Sequence, residues 1–251
     1  MPDMKHFLIL LLSCSISLVV FGQYSGTATE AARRLYQEAK TAQRVGNLDR
    51  ARQLLRLTIA EDDNFVNALD DLGALYREAG VLDSAVFFFN RSLELNPRGV
   101  VAHQNLAAVY QLNGQYEQAI EQYRELLSHH RSYPEAYYGM ALAYYNQEQY
   151  PQCIQNAEVA MSLYLSANQA LNAADARMLA GQAYMDSGDY KQAIKYFKAS
   201  RKHFEEKPYF HYYIGYSYLA LGDIKSAREY IDKAEMMGYR VPQHIRNRLN
   251  G

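Results

Sequence analysis

The side chains able to do chemistry in this sequence are seven histidines, two cysteines and several acidic pairs, and their spacing does not assemble them. His129 and His130 are adjacent, so on a helix they diverge by about 100° and cannot share a metal. His103 and His211 fall on stripes with the spacing of helix packing. No zinc-ligand spacing, phosphate-binding glycine loop or nucleophile elbow occurs. Cys153 stands where equivalent stretches carry Ala, which predicts a small buried apolar residue rather than a catalytic thiol. Asp62-Asp63 and Asp70-Asp71 form an acidic patch, and Arg33, Arg34, Lys40, Arg44, Arg50, Arg52 and Arg56 a basic one before it. Charge runs of this kind read as solvated faces with local ion pairs. These residues predict no cofactor, no metal site and no enzyme activity.

The residue the chain does concentrate is tyrosine: 14 of its 23 lie between Pro134 and Tyr218. The elements that must position them are helices. Gly46, Gly80, Gly114, Gly188 and Gly222 each follow an apolar-periodic stretch, and glycine reaches the left-handed helix-end conformation without a Cβ penalty. Five residues after each comes Ala51, Ala85, Ala119, Ala193 or Ala227. That spacing carries a second helix across the first at a point where no larger side chain fits, and overfilling such a contact costs about 1–3 kcal/mol. Apolar residues at three- and four-residue spacing make each second helix amphipathic. No strand pattern competes. The 251 residues are 49% hydrophobic and 21% charged, with six Pro and no Trp, as in a soluble helical protein. A formal net charge of −1 offers no global electrostatic attraction for nucleic acid.

Leu72-Gly73-x-x-Tyr76, Gly80-x-Leu82-x-x-Ala85, Phe89 and Asn96-Pro97 return thirty-four residues later as Leu106-Ala107-x-x-Tyr110, Gly114-x-Tyr116-x-x-Ala119 and Tyr123. This pattern resembles the tetratricopeptide repeat (TPR), whose unit is a pair of antiparallel helices. Tyr76, Tyr110, Tyr144, Tyr184 and Tyr218 match the packing tyrosine of that family, and Gly73, Gly181 and Gly215 its close-approach glycine. The resemblance implies an all-α, right-handed superhelical α-solenoid of six units, at 32–65, 66–99, 100–133, 134–167, 174–207 and 208–241, with residues 242–251 as a capping helix or tail. The first unit is degenerate, and the fourth has Glu148 where others have Gly, which makes its inner turn irregular. Six extra residues separate units four and five. There Ser166-x-x-Gln169 is expected to cap a helix from about Ala167, lengthening the first helix of unit five to about five turns.

The family also implies a concave groove lined by first helices, which accepts a peptide or partner helix. On those helices the stripe offset from the packing set carries Asn67, Asp70, Ala74 and Arg77 in unit two and Val101, Gln104, Ala108 and Gln111 in unit three, all polar or small but Val101. It turns aromatic afterwards: Glu135, Tyr138, Leu142 and Tyr145, then Asp175, Met178, Gln182 and Met185, then Tyr209, Tyr212, Tyr216 and Leu219. Tyr138, Leu142, Tyr145, Met178, Gln182, Met185, Tyr209, Tyr212 and Tyr216 are therefore the candidate partner-binding residues, since Tyr and Met give large, adaptable contact area. The competing reading is that these rings pack on one another. Asp70 and Ala74 stand where the clamp for C-terminal Glu-Glu-Val-Asp tails needs Lys and Asn, which argues against that ligand.

Residues 1–22 form a separate object. Lys5 and His6 precede an apolar run from Phe7 to Phe21, and Val20-Phe21-Gly22 suits a signal peptidase, so cleavage before Gln23 is expected. The alternative is lipid anchoring at Cys14 through Leu11-Leu12-Ser13-Cys14. Either route predicts an exported protein, periplasmic or envelope-associated, with no span in the mature chain. Residues 23–31 read as a linker, with Thr27-x-x-Glu30 as a capping box for the first helix. The function expected is a non-enzymatic scaffold or adaptor holding a protein or peptide segment, with carbohydrate or cell-wall binding as the alternative. Homo-oligomerisation is left open.

Overall fold

The structure is a computed structural model that describes residues 29–250. The expected leader at 1–22, Cys14 and Thr27 lie outside the described residues. Those residues form fourteen helices and no strand. The chain divides into two compact units, residues 1–129 and 130–251.

In the first unit the helices are α1 (Glu30–Arg44), α2 (Leu48–Glu61), α3 (Val66–Glu78), α4 (Leu82–Leu95), α5 (Val100–Leu112) and α6 (Tyr116–His129). They pack as successive hairpins, α1 on α2, α3 on α4 and α5 on α6, with α2 also against α3 and α4 against α5. The N-cap of α1 is Thr29, whose Oγ1 accepts a hydrogen bond from Ala32 N at 3.0 Å, so the capping residue is Thr29 and not the expected Thr27. One continuous core runs through Ala39, Leu55, Leu72, Tyr76, Phe89, Leu106 and Val109. Its tightest point is Gly73, where an added Cβ would stand 2.8 Å from the ring of the fully buried Phe89. The close approach that calls for glycine is thus made by the second helix of the same hairpin.

The second unit holds α7 (Pro134–Asn146), α8 (Tyr150–Ser166), α9 (Ala170–Asp186), α10 (Tyr190–Ala199), α11 (Arg201–Phe204), α12 (Pro208–Ala220), α13 (Ile224–Met236) and α14 (Gln243–Asn250). Ala51, Ala85, Ala119, Cys153, Ala193 and Ala227, one on each long second helix, are all fully buried. The α7–α8 turn needs a left-handed residue, and Glu148 takes φ +61° there, where the other inner turns have glycine at φ +72° to +88°.

Three features depart from a regular hairpin stack. Ser166 does not cap α9. It is the last residue of α8, and its hydroxyl donates to Ser162 O at 3.0 Å. The turn falls at Asn168, with φ +58°, and α9 starts at Ala170 after Gln169, whose side chain makes no capping bond. The six extra residues are therefore shared: α8 and α9 each run to 17 residues, where α3 to α7 have 13 or 14. The added turns are held by Tyr164, which is buried with Ala160, Ala173 and Ala176 and packs against Tyr137 and Tyr138. Next, α10 stops after ten residues at Ser200, and the one-turn α11 carries Phe204 into the core. Finally, α14 seats Ile245 and Leu249 against Tyr212, Leu219 and Ile231. Arg246 fastens it to α13 through Asp232, at 2.8 Å, and Glu235.

Candidate functional site

All nine candidate residues lie in the second unit, on α7, α9 and α12, and the structure divides them into two groups. Leu142, Met178, Gln182, Met185 and Tyr212 are buried. Tyr138, Tyr145, Tyr209 and Tyr216 are half-buried and keep surface. Both methionines belong to a core cluster with Phe197, Phe204, Phe210 and Ile214, supplied by α10, α11 and α12. Tyr212 stacks on Tyr239 with ring centroids 4.4 Å apart, and α14 closes over it. Gln182 is hydrogen-bonded to Tyr213.

The tyrosines of α12 form a connected aromatic cluster with Tyr190 and Tyr239. Tyr213 lies 5.8 Å from Tyr209 and 6.1 Å from Tyr212, and Tyr216 lies 6.2 Å from Tyr212 and 6.3 Å from Tyr190. Tyr145 sits 6.0 Å from Tyr150, and its hydroxyl donates to Asp186 Oδ2 at 2.5 Å across 41 residues of sequence. Burial raises the pKa of Tyr138, Tyr145, Tyr209 and Tyr216, so all four are neutral phenols near pH 7. Asp175 lies within electrostatic reach of Tyr138, Tyr164 and Tyr209. Burial pushes its carboxyl up to about 6, and the nearby His203 offsets part of that. Asp186 and Tyr213 were not singled out by the stripe pattern. Both lie one helical step beside it, at positions following Met185 and Tyr212, and an i, i+1 step on a helix normally turns the side chain away.

The remaining reactive groups are committed to structure. Cys153 is a free thiol, fully buried, and burial pushes it up to about 12. His103 bonds Gln122 Oε1 at 2.9 Å and Pro97 O at 3.0 Å. His211 Nε2 donates to Glu205 O at 2.7 Å, and burial lowers its affinity for a proton. Among the described residues no group of three His, Cys, Asp or Glu side chains is placed to hold a metal, and no helix is long and apolar enough to cross a membrane.

Tetratricopeptide repeat family models match residues 88–121, 112–148 and 178–243, together about half of the chain. Solved structures with the same fold include PilW, a widely conserved type IV pilus biogenesis factor, 15% identical with a TM-score of 0.69 over 88% of this chain and 99% of that one. MamA is 22% identical with a TM-score of 0.62, covering 71% and 94% of the two chains. YrrB, a TPR protein with an unusual peptide-binding site, is 19% identical with a TM-score of 0.61, covering 73% and 92%. No curated protein matches the sequence. The fold, the hairpin packing and the family matches agree: the chain belongs to the tetratricopeptide repeat family.

Proposed function

We propose that this protein is a non-enzymatic scaffold at the bacterial envelope whose second unit holds a segment of a protein partner on the tyrosine face of α7, α9 and α12. The observation that carries this reading is the split among the stripe residues. The methionines and Tyr212 are consumed by the core, while Tyr138, Tyr145, Tyr209 and Tyr216 are only half-buried on three successive first helices. Amphipathic rings of this kind give an interface large contact area at little entropic cost. The apolar leader at 1–22 supports the envelope setting, as does the likeness in fold to a type IV pilus biogenesis factor. The unusual peptide-binding site of YrrB supports the ligand class.

The test is affinity purification of the mature chain from its own envelope followed by mass spectrometry, with Tyr209→Ala/Tyr216→Ala as control. Tyr212 is a poor probe because its removal opens the seat of α14. A partner captured by wild type and lost by the double variant, with helicity unchanged, supports the reading. Equal capture by both proteins removes this face from consideration. Binding of an isolated glycan or peptidoglycan with the same dependence on Tyr209 and Tyr216 would favour carbohydrate recognition instead.

A further inference from the structure

The charges on the three first helices of the second unit are sorted. Together α7, α9 and α12 carry three carboxylates, Glu135, Asp175 and Asp186, and one Arg or Lys side chain, Arg177. Arg177 is directed elsewhere, since its guanidinium donates to Ala199 O at 3.0 Å. The lysines of the second unit lie off these helices, on α10, α11 and α13 and at Lys207 just before α12, and Lys198 on α10 donates to Tyr218. The tyrosine face is therefore acidic although the whole chain is nearly neutral.

Two of the carboxylates lie within electrostatic reach of phenol groups at separate points. Asp175 acts on Tyr138, Tyr164 and Tyr209. Asp186 receives the Tyr145 hydroxyl and lies near Tyr213 and Tyr216. A carboxylate beside aromatic faces suits an ammonium or guanidinium group, which gains both the ion pair and the attraction of the ring quadrupole. The two points are eleven residues apart on α9, hence ~16 Å at ~1.5 Å per residue. An extended chain at ~3.3 Å per residue covers that distance in about five residues.

We infer that the partner segment is basic, and that it presents two Lys or Arg side chains about five residues apart in an extended conformation, one to Asp175 and one to Asp186. The inference rests on the tyrosine-face reading above and names its ligand chemistry. Charge complementarity selects this occupant, because an acidic segment would set its carboxylates against Asp175 and Asp186 with no lysine or arginine on these helices free to meet them. Basic groups within electrostatic reach of the face include His203 on α11, which acts on Asp175, and Arg248 on α14, which acts on Tyr216, and Lys207 is the N-cap residue of α12.

The test is a display library of random dodecapeptides panned against the full chain, against Asp175→Asn/Asp186→Asn and against Tyr209→Ala/Tyr216→Ala. Selected peptides are then resynthesised for fluorescence anisotropy. The expected result is enrichment of Lys or Arg pairs at a spacing of about five, with affinity lowered at least about fivefold by each single Asp→Asn change and lowered further by salt. Enrichment of neutral or acidic peptides that bind the Asn variants undiminished but lose affinity for the Tyr variant would overturn the basic-ligand inference and leave the tyrosine face standing. Absence of enrichment, or enrichment indifferent to Tyr209 and Tyr216, would overturn both.

Discussion

Replacing Asp70 by Asn should stabilise the first unit at neutral pH, because the wild-type carboxylate is buried without compensation. Asp70 is 8% exposed, on α3, and its Oδ1 has no full hydrogen-bond partner. Its neighbour Asp71 points the other way and is well served, accepting from Tyr36 Oη at 2.9 Å and Lys40 Nζ at 2.8 Å. Burial pushes the Asp70 carboxyl from an ordinary 3.8 up to about 6, the Ser92 hydroxyl opposing and the Asp71 charge adding. A raised carboxyl means the folded state holds its proton more tightly than the unfolded state, so stability is highest below about pH 4 for this group and declines as pH rises to about 6. At about 1.4 kcal/mol per pH unit, the interval from 3.8 to about 6 amounts to roughly 3 kcal/mol, an upper value since Asn must find its own partners. Urea unfolding followed by circular dichroism at pH 7.5 should place Asp70→Asn about 1–3 kcal/mol above wild type. At pH 4 the two should converge. A variant less stable than wild type at pH 7.5, or a gap that does not change with pH, would refute the reasoning.

Other substitutions test the turns and the crossings. Glu148→Gly should raise stability by about 1 kcal/mol in thermal or urea unfolding, since Glu148 alone among the inner-turn positions holds φ +61° with a Cβ in place. Gly181→Ala should lower it by about 1–3 kcal/mol, because the new methyl would meet Phe197 at 2.7 Å. In a Cys14→Ser background the native Cys153 thiol should resist a disulfide reagent at pH 8 and react fully in urea, and Cys153→Ala should fold while Cys153→Leu loses about 1–3 kcal/mol. Arg246→Ala should loosen α14, seen as faster amide exchange at Ile245 and Leu249, because its two carboxylate partners on α13 hold that helix down.

The hairpins were legible from sequence because each is encoded locally and then repeated. The left-handed turn needs Gly80 or its equivalent, and the helix crossing needs Ala85 or Cys153, so spacing reports both without any long-range contact. The charge pattern was legible only in part: Asp71 is ion-paired with Lys40, whereas Asp70, expected on the same solvated face, is buried on α3. Sequence periodicity could not sort the tyrosine stripe into core and surface. Met178 and Met185 occupy groove positions by spacing, yet α10 ends early at Ser200 and brings Phe204 down on their cluster. Tyr212 is covered by Tyr239, which arrives from beyond α13, and Tyr145 finds Asp186 across two helices. Burial of a side chain depends on every element that packs over it, and contacts this distant in sequence have no period to read. The repeat, its turns and its crossing points follow from the residues alone; which tyrosines are buried and which are only half-buried was decided only when the helices met.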